Sequence, residues 1–217
     1  MVVKKCYALE SFIYDINHQH MIVQRNKENN VVDDQQAKEA VKTLLRWIGD
    51  DPEREGLIET PDRVIKSFKE YFAGYKEDPG EVLKKTFTEA SGYSDIVLLK
   101  NINIYSHCEH HMAPVSGTAH VAYYPNKRIV GISKLGRVVD ILSKKLQVQE
   151  RLTNEIARVI DQALKPKGVA IYITAKHSCM RNRGVCQRNS NMQTYTLLGC
   201  FRDNEHIAKR FFSLLQI

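Results

Sequence analysis

After an opening stretch without period, the apolar residues of this chain fall first into helical spacing and later into strand alternation. Residues 1 to about 32 carry no sustained pattern, which predicts an arm that is weakly ordered or docks on a neighbouring subunit. Asp33 and Asp34 suit a helix N-cap, and Ala37, Ala40, Val41, Leu44, Leu45 and Ile48 then keep a helical period through about Gly49. Thr60-Pro61-Asp62 is a second start signal, with a cap, a proline at the first helical position and acid in the first turn. Val64, Ile65, Phe68, Tyr71 and Phe72 line its face until Gly74. Two antiparallel helices are expected here.

From Asp95 the period changes to two. Ile96, Leu98, Ile102 and Ile104 fit a strand, and Gly117 to Pro125 alternates again, with Asn126-Lys127 turning into Arg128-Ile129-Val130 as a hairpin. Ser133 can cap a short helix carrying Leu135, Val138, Val139 and Leu142. A longer helix from about Gln147 to Leu164 buries Val148, Leu152, Ile156, Val159, Ile160 and Ala163. Val169, Ile171, Ile173 and Ala175 alternate as a strand, Gln193 to Phe201 as another, and Ile207 to Leu215 closes the chain as a helix. Helices first, then strands and helices interspersed, is the order of an α+β protein. The expected division is an arm over 1–32, a helical region over 33–94 and a catalytic domain over 95–217.

Composition narrows the class. The 43% apolar and 26% charged fractions are those of a globular chain, and no apolar run reaches the ~20 residues that cross a bilayer. The N-terminal residues lack the apolar block of a signal peptide, so a cytoplasmic enzyme without membrane contact is expected. Five cysteines, an odd number without framework spacing, point to reduced thiols and metal ligation rather than disulfides. The net charge of +7 admits an anionic partner, but the basic residues are spread along the chain with no block of five or six.

Chemistry concentrates in two places, His107-Cys108-Glu109-His110-His111 and His177-Ser178-Cys179. Cys108 and His111 have a spacing that a tight turn can fold around one ion. The second cluster ends an alternating run, so His177 and Cys179 are expected to face one way. Cys108, His111 and Cys179 would give zinc three ligands and leave the fourth tetrahedral position for water, the pattern of a catalytic site. His110 and His177 are then free for proton transfer near neutral pH. The competing readings are a closed structural site with one of them as fourth ligand, or thiols and histidines that are neighbours in sequence alone.

Two further groups stand out. Ser133 and Lys134 at a helix start, Arg137 one turn on, and Arg183 beside Gly184 could grip an anion, or they are solvated helix ends. In Gln147-Val148-Gln149-Glu150-Arg151 an amide followed by a carboxylate could read the donor edge of a guanine, or simply begin a helix with acid in its first turn.

These pieces together resemble the GTP cyclohydrolase I family. The resemblance lies in Cys108-Glu109-His110-His111, the run from Val130 to Leu135, the run from Leu146 to Thr153, and His177-Ser178-Cys179-Met180 followed by Arg183-Gly184-Val185. Thr60-Pro61-Asp62-Arg63-Val64 adds a weaker match, and the likeness covers the chain from about residue 34 to its end. It implies a tunnelling fold, an antiparallel sheet with helices on one face whose copies close into a barrel, as a decamer of two pentamers. It implies conversion of GTP and water to 7,8-dihydroneopterin triphosphate and formate, the entry to tetrahydrofolate, pterin or deazaguanine synthesis. By position, Cys108, His111 and Cys179 hold Zn2+, and His110 and His177 move protons. Gln149 and Glu150 meet the purine, while Ser133, Lys134, Arg137 and Arg183, with Arg63 behind them, meet the triphosphate. Two other readings make different demands. A related tunnelling-fold enzyme acting on a pterin or deazapurine lacks this motif set, and a zinc-stabilised nucleic-acid binder needs a closed metal site and clustered basic residues.

Overall fold

The computed structural model describes residues 32–87 and 93–217, so the expected N-terminal arm lies outside the described residues apart from Val32. The described chain falls into two compact units that part between Lys66 and Ser67. The first contains α1 (Asp34–Trp47), which opens with a reciprocal cap: Asp33 accepts from Gln36 N while the Gln36 side chain accepts from Asp33 N. It ends slightly before the expected Gly49, which takes φ +95°, a conformation that suits glycine. No residue of α1 is buried, and Leu44, Trp47 and Ile48 are exposed. The next helix, α2 (Thr60–Tyr71), starts at the expected Thr60-Pro61 signal and runs across the boundary between the units.

In the second unit a 3-10 turn (Ala73–Lys76) and α3 (Pro79–Leu83) lead to the sheet. The strands are β1 (Val97–Cys108), β2 (Pro114–Tyr124), β3 (Leu146–Gln147), β4 (Gly168–His177) and β5 (Met192–Gly199), in the spatial order β3-β1-β2-β4-β5. All pairings are antiparallel except the short parallel contact of β3 with the end of β1. Alternation along β2 and β4 sends side chains to two different cores. Val121, Ile171 and Ile173 meet the two long helices α4 (Ile132–Ser143) and α5 (Gln149–Leu164), which supply Leu135, Val138, Leu142, Leu152, Ile156 and Ile160. Ala122, Ala170 and Tyr172 point the other way, onto Phe201 of α7 (Cys200–Asp203) and Phe211 and Leu215 of α8 (Glu205–Leu215). The larger helical layer thus covers one face, and the C-terminal helices add a smaller cluster on the opposite one. Gly74 marks a close approach: a Cβ there would lie 2.0 Å from the Ile141 carbonyl oxygen at the end of α4.

Four local expectations are corrected. Arg128–Val130 does not return as a hairpin partner of β2, because both edges of β2 are taken by β1 and β4, and Ile129 instead bridges Phe87. Ser133 is not a cap: Gly131 holds the N-cap position of α4 without a side-chain bond, and Ser133 lies inside the first turn. Leu146 and Gln147 are strand rather than helix, since they pair with His107 and Cys108, and α5 begins two residues later than expected. The final strand likewise stops at Gly199, where φ +55° and a Cβ position 2.3 Å from Lys167 O require glycine and turn the chain into α7.

Candidate metal centre

β1 ends at Cys108 and β2 starts at Pro114, so residues 109–113 make the turn of a hairpin. Cys108 N donates to Ala113 O at 2.9 Å, and the amides of His111 and Met112 donate back to Cys108 O at 3.4 and 2.8 Å. This wrap brings His111 Nδ1 to 3.9 Å from Cys108 Sγ, and His110 Nδ1 lies at the same distance from that sulfur.

The third donor comes from the far side of the sheet. Val115 pairs with His177, which sets the end of β4 beside the start of β2. The expected strand geometry is corrected here. β4 stops at His177 and Ser178–Arg181 forms a short helix, α6, so strand alternation does not aim Cys179. The ladder runs out because the next residue of β2 is Pro114, which has no N–H to offer. Cys179 nevertheless arrives: the donor atoms of Cys108, His111 and Cys179 all lie within 4.8 Å of one another.

The set fits a zinc-type ion. Bonds of about 2.0–2.3 Å in a tetrahedron separate the donors by roughly 3.3–3.8 Å, close to the 3.9 Å between Cys108 Sγ and His111 Nδ1. Two thiols and one imidazole are a soft-to-borderline set, and three donors leave one position open. Burial pushes the Cys179 thiol up, Cys108 reinforces this, and the charge of Arg183 opposes it. A cation between the two sulfurs would reverse that balance and hold both as thiolates.

His177 is oriented by a buried amide. Its Nε2 lies 2.9 Å from Gln149 Oε1, which can only accept, so Nε2 carries the proton and Nδ1 keeps its lone pair. The Gln149 side chain is itself fixed, for its Nε2 donates to Met192 O and to Thr194 Oγ1, both at 3.1 Å. At 4% exposure, Gln149 faces His177 and the sheet rather than an open cleft. Thr153, one turn on, donates to Gln149 O at 2.7 Å and meets Thr194 Oγ1 at 2.7 Å. Burial lowers the His177 pKa, and the nearby carboxylate of Glu150 pulls the other way. Glu150 itself is exposed, as is His110 on the turn.

The proposed anion grip is distributed over other elements. Ser133 and Arg137 are exposed on α4, and Lys134 Nζ donates to Val82 O at 2.8 Å. Arg183 is exposed in the loop after α6, close enough to act on Cys179. Arg63 on α2 is ion-paired with Glu59.

The sequence did not disclose the second network at the metal turn. Glu109 is ion-paired with Arg151, whose Nε donates to Gln147 Oε1 at 3.0 Å and whose Nη2 donates to Leu146 O at 3.0 Å. Gln147 is held in turn by Leu142 O at 3.1 Å and Glu155 Oε2 at 2.9 Å. The available signal was the four-residue spacing of Arg151 and Glu155 on one face of α5, with Gln147, four residues before Arg151, in β3.

Comparison with known proteins points to one family. The family model described as GTP cyclohydrolase I matches residues 37–216. The chain is similar to a protein of Pelagibacter ubique named GTP cyclohydrolase 1, 53% identical over 85% of this chain and 91% of the relative. Proteins of the same name from Maricaulis maris, 50% identical over 84% of this chain and 89% of the relative, and from Sinorhizobium fredii, 53% identical over 83% and 88%, are similar in the same way.

Proposed function

Since the chain belongs to the GTP cyclohydrolase I family, we propose that it binds Zn2+ through Cys108, His111 and Cys179 and converts GTP and water to 7,8-dihydroneopterin triphosphate and formate. The observation that carries the reading is the convergence of the three donors beside a His177 whose tautomer is fixed by Gln149. When bound, the ion supplies Lewis acidity and a water made acidic near neutral pH. The residues of the chain do the rest. His177 presents Nδ1 as a proton acceptor, and His110, exposed on the turn, delivers a proton to the imidazole ring of the purine as it opens. Glu150 selects guanine by accepting from its ring and exocyclic N–H groups. Adenine cannot supply those donors, a loss of about 1–3 kcal/mol when the acceptor is closed in by substrate. Ser133, Lys134, Arg137 and Arg183 hold the triphosphate, with Lys134 exchanging Val82 O for phosphate.

The assembly we propose is a ring of copies, stacked as a decamer. Both outer edges of the sheet support it: among the described residues β5 pairs only with β4, and β1 is paired on one side alone over Val97–Ser106. An open strand edge is a template for another strand, and the uncovered Leu44, Trp47 and Ile48 of α1 supply apolar surface to a partner. The four free thiols among the described residues suit a reducing, cytoplasmic setting.

The test is incubation of purified protein with GTP, oxidation, and fluorescence detection of neopterin, with EDTA-treated and His110→Ala samples alongside. A GTP-dependent signal lost in both controls is expected. Absence of signal from zinc-loaded, oligomeric protein would sink the assignment of GTP.

A further inference from the structure

The reading above leaves Glu109, Gln147 and Arg151 without a role, although they hold the metal turn from the edge of β1 that faces away from β2, where Gln147 pairs with Cys108. We propose that Arg151 is a positioning residue for the metal: through Glu109 it fixes the turn that carries Cys108 and His111 against the first turn of α5. The proposal rests on the zinc reading given above.

The guanidinium is held on the α5 side by the Gln147 side chain and the Leu146 carbonyl, both at 3.0 Å, and it meets the Glu109 carboxylate from the hairpin turn. Glu109 is gripped a second time through its backbone, whose N–H donates to Gln147 O at 3.1 Å. It stands between Cys108 and His110, so both ends of the residue next to a donor are tied to one helix start. Arg151 and Glu109 are each about one-third exposed, at 33% and 32%, enough shelter for a charge-assisted bond to hold geometry rather than fluctuate in solvent. Only a planar fork can serve these partners at once; a lysine ammonium cannot.

The arrangement has a counterpart two residues earlier. Gln149, on the same first turn, anchors His177 at the end of β4, two residues from Cys179. The start of α5 therefore touches both the turn that carries Cys108 and His111 and the end of β4 that leads to Cys179, and ties one to the other. Outer groups that orient metal ligands commonly contribute about 10–100-fold in metal affinity, and that is the scale expected of Arg151.

The experiment titrates Co2+ into metal-free, full-length protein against a competing chelator, following the thiolate-to-cobalt charge-transfer band and the d–d envelope. The wild-type protein is compared with Arg151→Met, Glu109→Gln and the double variant. Arg151→Met is expected to bind Co2+ about 10–100-fold more weakly with an altered d–d envelope. The double variant is expected to be no weaker than Arg151→Met alone, because both changes cut one link. Wild-type affinity and spectrum in Arg151→Met overturn the proposal, as does simple additivity in the double variant. If Arg151→Met does not fold, Glu109→Gln decides by the same criteria of affinity and spectrum. A wild-type protein that develops no thiolate band overturns the zinc reading itself, an outcome distinct from failure of the positioning role.

Discussion

The two strands that deliver the candidate metal donors do so by different means. β1 hands over Cys108 inside a hairpin, flanked by β2 on one side and β3 on the other, and five residues of turn bring His111 back. β4 leaves the sheet at His177, and its donor Cys179 rides on one turn of helix whose aim depends on the pairing of His177 with Val115. The first half of the site is local and would form wherever the hairpin forms. The second exists only in one register of β2 against β4, since a slip of one residue reverses the face of every side chain. The two halves should therefore fail differently when perturbed.

The largest effect is expected from Cys179→Ala. In the proposed reaction Cys179 would be a ligand whose loss forfeits several kcal/mol of Lewis-acid stabilisation, so the GTP-dependent pterin signal should fall by roughly a thousandfold. The melting temperature of the metal-free protein should barely move, because Cys179 is only partly buried. Gly117→Val attacks the register instead. A Cβ at Gly117 would lie 2.1 Å from Thr174 O and 2.6 Å from Ala175 Cα, forcing β2 and β4 apart at a cost of about 1–3 kcal/mol or more. Chemical denaturation should show that loss, and metal affinity should fall with it although no donor has been touched. Unchanged metal affinity in a destabilised Gly117→Val would show that the Cys179 side does not depend on register.

Gln149→Leu separates orientation from ligation. It should leave bound zinc at wild-type stoichiometry while lowering kcat about tenfold to a hundredfold, part of what a positioned proton-transfer group contributes. KM should change little. The smallest effect lies on the opposite face of the sheet, at buried His120 beside Tyr172. Burial, aided by the charge of Lys100, holds its pKa below the ordinary 6.5. The unfolded chain therefore takes up the proton first, so this contribution to stability is whole above pH 6.5 and is lost as pH falls through the folded value. His120→Leu should move the acid-unfolding midpoint downward by roughly a few tenths of a pH unit, read by far-UV circular dichroism.

The same contrast between local and register-dependent features separates what the sequence disclosed from what it hid. Cys108 and His111 were legible because their spacing is a property of five consecutive residues. The long helices α4 and α5 were legible because each repeats one apolar face over several turns. Cys179 stands out in the sequence as a candidate ligand, but strand alternation does not aim it, since β4 ends where the next residue of β2 is Pro114 and the ladder has no donor left. Arg128–Val130 was misassigned because its partner, Phe87, is distant in the chain and no local pattern records that bridge. Leu146 and Gln147 continue a helical period yet pair with β1, so tertiary contact overrides propensity there. The ion pair of Glu109 with Arg151 was invisible for the same reason: each residue alone looks like a solvated charge.

The division of the donors between a turn and a register also orders events in time. A chain still folding can offer an ion the Cys108–His111 pair as soon as the hairpin closes, a microsecond-scale event, but the third donor comes only when β4 has zipped along β2. An ion caught early would be held by two points and exchange freely, and the completed sheet would turn that loose capture into retention. On unfolding the sequence reverses, so the rate at which metal escapes to a chelator reports the opening of the β2–β4 ladder.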